Sequence, residues 1–271
     1  MTPHDDSASL GTAIRHLARG VSDWVDLAYS GMVAELKTVA PLARGKLLDV
    51  GCGDKPHEAI FRPYVSEYVG VEYAETFNTT HASTRSSRPD YLYDGRTLPF
   101  DTGTFDTVLS IQVFEHTPHF QRLLQEMARV MKRDGLLIVS VPFSFRLHEE
   151  PFDYFRFTPH GLRAIFEAAG LTLDKVVSER GIWSVIGHKL NSYLGFRVAR
   201  IEGLAQALGK HGHEPSRSAP LRYWTLPVVL PTMLAVSATA RVLDRVAPDR
   251  TEALTYLALG RAVAGASAGA P

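Results

Sequence analysis

The run Leu47-Leu48-Asp49-Val50-Gly51-Cys52-Gly53-Asp54 sets an apolar strand directly against a glycine-rich turn, and a helix that includes Ile60 and Phe61 is expected to follow. Glycine has no Cβ, so its backbone takes positive φ without strain and approaches a ligand closely. The first N–H groups of the next helix are unsatisfied and attract polar groups. Such a junction can cradle a cofactor. About 20 residues further on, a second apolar run ends in Glu72, the position from which a carboxylate accepts hydrogen bonds from ribose hydroxyls. Alone, the same residues also describe a tight turn and a solvated glutamate.

The pattern around the turn narrows the choice. Short apolar runs at Lys46–Val50, Tyr68–Glu72, Asp106–Ser110 and Leu136–Val141 alternate with amphipathic segments. That alternation predicts βαβ units and a doubly wound, mostly parallel α/β sheet. Phe120, Leu123, Leu124, Met127, Val130 and Met131 keep helical spacing, which predicts a crossover helix closed at Asp134-Gly135. Thr158-Pro159 opens another helix, carrying Leu162, Ile165 and Phe166 inward until Gly170.

On either side the character changes. Residues 1–44 read as a helical cap, broken near Ser30-Gly31 and stopped at Pro41; 45–179 form the α/β domain; and 180–271 read as a helical extension. The extension serves as a substrate lid, a dimer contact or a membrane-surface contact. The polar loop with His211, His213 and Glu214 interrupts it, and the Ala/Gly/Ser-rich tail Ala262–Pro271 is expected to fray. Tyr223 to Ala240 carries no charge and nears the length of a membrane span, but Thr225, Pro227, Pro231, Thr232, Ser237 and Thr239 interrupt it. A buried or interfacial helix fits it better.

Composition excludes some functions. Over 271 residues, 29 Lys and Arg balance 29 Asp and Glu, which removes bulk attraction to nucleic acid. The single cysteine, Cys52, allows neither an intrachain disulfide nor a zinc ribbon. A reducing, cytoplasmic setting is expected, since the first residues lack the apolar core of a signal peptide.

The turn is followed in order by Asp94-Gly95-Arg96-Thr97-Leu98-Pro99-Phe100, by Phe105-Asp106-Thr107-Val108, by Phe114-Glu115-His116 and by the run ending at Pro142. The stretch from Lys46 to about Val177 resembles class I S-adenosylmethionine-dependent methyltransferases of the small-molecule type, whose middle reads D-x-x-x-LPF-x-x-x-x-FD-x-V. The resemblance implies a Rossmann-like sheet and S-adenosylmethionine as cofactor, with S-adenosylhomocysteine as product. It implies that Asp49, Gly51 and Gly53, with Cys52 between them, surround the methionine part, that Glu72 holds the ribose diol, that Asp94 and Gly95 lie near the adenine amine, and that Gln112 lines the site. Cys52 itself reads as a packing residue, since no base stands beside it in the motif. Where the family often has a third glycine, Lys55 and Pro56 stand instead, and the lysine either faces solvent or neutralises the cofactor's carboxylate.

Acid–base chemistry has two candidate sources. Glu115 and His116 follow the fourth strand at the edge where open α/β sheets bind ligands, so His116 serves as base or packs over the cofactor. The loop from Phe145 to Pro159 holds His148, Glu149, Glu150, Asp153, Tyr154 and Arg156 among aromatics. It resembles the H-x-x-P-x-D-Y-x-R-x-T run of methyltransferases from glycan and sugar-containing natural-product pathways. His148 is the first candidate for general base with Asp153 orienting it, and Glu149, Tyr154 and Arg156 are candidates for acceptor binding. The competing reading pairs Asp153 with Arg156 to fix the loop. The acidic cluster also has the oxygen ligands for Mg²⁺, although a solvated acidic face accounts for it as well and no metal is expected. The expected reaction is methyl transfer to an oxygen of a sugar or secondary metabolite. N- or C-methylation, or a non-methylating cyclase or scaffold role, are the rivals.

Overall fold

The computed structural model describes residues 20–75, 77, 88–200 and 222–262, and the chain divides into two units. The sheet unit comprises 32–145, 152–179 and 255–271, and the helical unit comprises 1–31, 146–151 and 180–254.

In the sheet unit, α1 (Leu27–Val39, its first residues belonging to the helical unit) leads through a 3₁₀ turn at Ala40–Leu42 into β1 (Lys46–Val50). Then come α2 (Glu58–Phe61), β2 (Glu67–Tyr73), β3 (Tyr91–Tyr93), β4 (Phe105–Ile111), α3 (Phe120–Val130), β5 (Met131–Pro142), α4 (Pro159–Ala168), β6 (Leu171–Glu179) and β7 (Thr255–Ala262). The strands form one sheet in the order β3-β2-β1-β4-β5-β7-β6. β1 pairs in parallel with both β2 and β4, setting Asp49 beside Gly70 and Leu109. From Leu47 on, β1 is buried, and its residues there are apolar except Asp49, while Lys46 stands half-buried at its start. Leu36 and Val39 of α1 pack with Leu47, Phe61, Leu109 and Ile138 in the core on one side.

The expected α/β sheet is present, and four expected strands fall at β1, β2, β4 and β5. α4 starts as expected: the Thr158 hydroxyl accepts from the Gly161 N–H at 3.0 Å, and Pro159 takes the first helical position. Several expectations need correction. α1 runs unbroken through Ser30 and Gly31; the interruption is at Asp26, whose carboxylate accepts from the Tyr29 N–H at 3.0 Å. α3 stops at Val130, not at Gly135, because Met131 is already paired with Phe105 across the sheet. Asp134, at φ +60°, lies within β5, in the irregular stretch where its pairing with β4 shifts register between Met131 and Leu136.

The largest correction concerns 180–271, which is not helical throughout. β7 enters the sheet antiparallel between β5 and β6, so its polar backbone is satisfied on both edges. A Cβ at Gly260 would lie 2.5 Å from the Thr172 carbonyl oxygen, which explains glycine in mid-strand. Nor does a unit boundary fall at residue 44, since Met32 onward belongs to the sheet unit.

The helical unit contains residues 20–25, α5 (Ile182–Ser192) with a π-helical continuation at Tyr193–Ala199, and α6 (Leu226–Val246) after a 3₁₀ turn at Tyr223–Thr225. Buried polar groups fasten it. The Asn191 amide donates to Ser237 Oγ at 2.8 Å, and Ser184 Oγ donates to Asp244 Oδ2 at 2.5 Å. The Arg241 guanidinium lies 4.2 Å from the Trp24 ring centroid and donates to the Trp24 carbonyl. His211, His213, Glu214 and the tail from 263 lie outside the described residues.

Candidate active site

The carboxyl ends of β1, β2 and β4 lie side by side, and Asp49, Gly51, Cys52, Gly53, Glu72 and Gln112 stand on or just past them, whereas Asp94 and Gly95 follow β3. The turn after β1 is held by β2: the Gly51 and Cys52 N–H groups both donate to the Val71 carbonyl, at 2.9 and 3.2 Å. Gly51 has φ +75°, and a Cβ there would meet Val113 Cγ2 at 2.4 Å, so only glycine fits against the chain leaving β4. Gly53, at φ +52°, has nothing within 4 Å of its Cβ position, so the turn opens to free space there. Space beside a positive-φ glycine, next to buried carboxylates, fits a ligand with hydroxyl and ammonium donors.

Glu72 is 7% exposed; one oxygen accepts from the Gly53 N–H at 2.8 Å and the other from the Tyr73 N–H at 3.0 Å. The second strand thereby fixes both the turn and the acid expected to hold the ribose. Asp49 accepts from the Tyr68 hydroxyl at 2.5 Å. Burial pushes the Asp49 carboxyl up to about 7, opposed by the Tyr68 hydrogen bond and reinforced by the Glu72 charge. Cys52 is buried with its Sγ against Gly70, the packing role expected of it. Gln112 follows β4 at φ +55°; its N–H donates to the Ser140 carbonyl and its side-chain amide to Ser140 Oγ, both at 2.9 Å.

Two cofactor expectations are modified. Asp94 is exposed, and its carboxylate accepts from the Arg96 and Thr97 N–H groups at 2.8 and 2.9 Å, so it shapes the turn that Gly95 begins at φ +75°. Lys55 neither faces solvent nor waits for a cofactor carboxylate: its side chain is 9% exposed and its Nζ lies 2.7 Å from Asp90. Asp90 also accepts from the Gly70 N–H, and these contacts hold its carboxyl below the ordinary range despite its partial burial.

Glu115 and His116 occupy a 3₁₀ turn just past β4. His116 Nδ1 lies 2.7 Å from the Phe152 carbonyl oxygen, which accepts its proton and leaves Nε2 as the basic nitrogen. The Glu115 carboxylate is fully buried, 3.8 Å from that Nε2. The Tyr154 N–H donates to the Glu115 carbonyl at 2.8 Å, tying the two segments together. Asp153 does not serve as an orienting acid: Arg156 clasps both its oxygens, at 2.6 and 2.7 Å, the loop-fixing pair. Arg156 is thereby engaged rather than presented to an acceptor. Tyr154 is exposed, whereas Phe157 packs with Phe114, Phe120 and Phe155. His148 and Glu149 belong to the helical unit, where His148 Nδ1 lies 3.2 Å from the Arg146 carbonyl and Glu149 takes φ +53°.

Sequence reasoning passed over His57, which sits directly before α2 in the cofactor loop. It is buried, and burial alone lowers its imidazole to about 4, so the ring is neutral. A histidine at the start of the helix after a glycine turn is the only sequence cue for it.

Residues 48–139 match the family model described as "Methyltransferase domain". A "Probable S-adenosylmethionine-dependent methyltransferase" of Mycobacterium tuberculosis (strain CDC 1551 / Oshkosh) is 31% identical over 97 residues, 35% of this chain and 35% of that protein. This chain carries a class I S-adenosylmethionine-dependent methyltransferase domain. An "Uncharacterized methyltransferase" of Mycobacterium sp. (strain JLS) is 36% identical to the domain region over 94 residues, 35% of this chain and 37% of that protein. The chain thus spans about a third of the length of the curated relatives it matches. The fold of the methyltransferase domain and its surroundings is shared with a chain of the solved complex between the Haloferax volcanii Trm112 methyltransferase activator and a methyltransferase. The TM-score is 0.52, with 17% identity, 97% of this chain and 100% of that chain being covered.

Folding raises the Asp49 affinity for its proton, from an ordinary value of about 3.9. The stability linked to that proton is complete below about pH 4 and is lost as pH rises through about 7. Thermal melts should show Tm falling between about pH 5 and about pH 8, with a shallower fall in Asp49→Asn, which keeps the Tyr68 hydrogen bond. Parallel curves would show that Asp49 is already ionised in the folded protein.

Proposed function

We propose that the protein transfers a methyl group from S-adenosylmethionine to a hydroxyl of a small acceptor, a sugar or a glycosylated metabolite. The observation that carries this reading is the basic Nε2 of His116 on the same sheet edge as the glycine turn and Glu72. The loop resemblance to methyltransferases of glycan and sugar-containing natural-product pathways supports the acceptor class. When bound, the cofactor supplies a methyl group already activated on a sulfonium. Gly51 and Gly53 let the backbone approach it, and the remaining lone pairs of Glu72 accept from the ribose hydroxyls.

The protein's own contribution to the chemistry is then proton removal and alignment. The Phe152 carbonyl fixes the His116 tautomer, Nε2 takes the acceptor's hydroxyl proton, and the buried Glu115 carboxylate stabilises the imidazolium that forms. His116 takes the role first expected of His148, since it stands in the same unit as the cofactor edge. His116→Asn, which preserves a donor toward Phe152, should lower kcat by roughly 100-fold with cofactor affinity unchanged, read as coupled S-adenosylhomocysteine release. Unchanged turnover would remove the base and favour a nitrogen or carbon acceptor.

A second reading concerns where the acceptor is met. The most apolar 18-residue window of Tyr223–Val246 has a mean hydropathy of 1.6 with only 22% of it buried, and Trp224 and Val228 are 78% and 71% exposed. α5 also exposes Ile186 and Leu190, and its π-helical continuation exposes Tyr193. Along 181–200 and 222–246 the charged residues are Lys189, Arg197, Arg200, Arg222, Arg241, Asp244 and Arg245, and of these Arg241 is buried against Trp24 and Asp244 accepts from Ser184. Exposed aromatic and aliphatic side chains beside predominantly basic charge suit the surface of an anionic bilayer. The protein should co-sediment with phosphatidylglycerol-containing vesicles but not with pure phosphatidylcholine, and Trp224→Ser with Val228→Ser should release it. No binding, with a dimer in light scattering, would give this face to a second copy of the chain.

A further inference from the structure

At the carboxyl edge of the sheet a line of polar side chains runs away from the cofactor turn through the interior. The Gln112 amide donates to Ser140 Oγ at 2.9 Å, Ser140 Oγ donates to Glu179 Oε1 at 3.3 Å, and the Thr255 hydroxyl donates to Glu179 Oε2. The four residues come from the ends of β4, β5, β6 and β7, and Glu179 is 1% exposed. A carboxyl so deep in a sheet of apolar strands is costly to keep unless it does something packing alone does not.

Hydrogen-bond valence shows what that is. An ionised carboxylate only accepts, so both hydroxyls must point their protons at Glu179. Ser140 has a single proton, and once it is given to Glu179 the serine oxygen can only accept from its other neighbour. Gln112 must therefore turn its NH₂ toward Ser140, and its Oε1 faces the other way. Gln112 is followed by Val113, the residue that presses on Gly51. We infer that Glu179 is a positioning residue: through Ser140 it sets the Gln112 side-chain amide so that an acceptor oxygen, rather than a donor, is presented beside the cofactor turn. This rests on the cofactor reading above for what the oxygen meets, a donor such as an ammonium or a hydroxyl.

The same valence argument makes the orientation depend on pH. Burial pushes the Glu179 carboxyl up to about 7, its two hydroxyl bonds oppose this, and Glu35 on α1 adds a like charge. β5 and β7 bring it hydroxyls rather than charges. Once protonated, Glu179 can donate to Ser140, the serine proton is free to turn, and the amide loses its enforced direction.

The test follows the Gln112 side-chain amide by ¹⁵N NMR in the cofactor-free protein, which needs no catalysis. Its ¹H and ¹⁵N shifts should titrate near neutral pH in the native protein and stay flat in Glu179→Gln and in Ser140→Ala. A flat native titration, or one that persists in Glu179→Gln, would overturn the relay. Calorimetry with S-adenosylhomocysteine adds the functional arm. The ratio of Kd in Glu179→Gln to Kd in the native protein should rise from near 1 at low pH to about 5 above neutrality, the loss of one hydrogen bond. Taking a ratio cancels titrations common to both proteins. A pH-independent ratio would reduce Glu179 to a structural group. Absence of binding by the native protein with an intact NMR titration would instead strike the cofactor reading and leave the relay standing.

Discussion

The turn after β1 depends on one carbonyl and one carboxylate of β2. Val71 accepts from two successive turn amides and Glu72 from a third, so the conformation of Gly51–Gly53 is set by a neighbouring strand rather than by the turn itself. The constraint runs in both directions. A Cβ at Gly51 would collide with Val113, which means that the end of β4 can come this close only because the turn has no side chain there. Three strand ends are thereby drawn together, and each carries a polar group of the candidate site: Asp49, Glu72 and Gln112.

Burying carboxyls at this edge is unfavourable in the absence of cations, and the protein offsets the cost with hydroxyl and amide donors. Tyr68 serves Asp49, backbone amides serve Glu72, and Ser140 with Thr255 serves Glu179. Among the described residues, a site so arranged is short of positive charge and rich in fixed acceptors, which suits a ligand bringing ammonium, sulfonium and hydroxyl groups. Lys55 sharpens the point, since the lysine nearest the turn is committed to Asp90.

How much of this was readable beforehand depended on whether the deciding contacts were local. β1, β2, β4 and β5 were legible because parallel strands buried on both faces leave continuous apolar runs, and the glycine turn was legible because its chemistry lies in adjacent residues. β3 escaped notice with three residues, two of them exposed. β7 was misread because an apolar run buried on both sides has no period that separates strand from helix, and its partners lie more than a hundred residues away in β5. The fates of Lys55, Asp153 and Glu179 turned on specific partners. Only for Asp153 was the partner, Arg156, close enough in sequence to be named as an alternative.

The central claim is that the edge formed by Gly51–Gly53, Glu72 and Gln112 binds S-adenosylmethionine. Calorimetric titration of the native protein with S-adenosylmethionine and S-adenosylhomocysteine, repeated on Gly51→Val, tests it most directly. Micromolar binding of both, lost in a Gly51→Val protein that still melts cooperatively, is the predicted result. Absence of binding by the folded native protein, or equal binding by the variant, would contradict it.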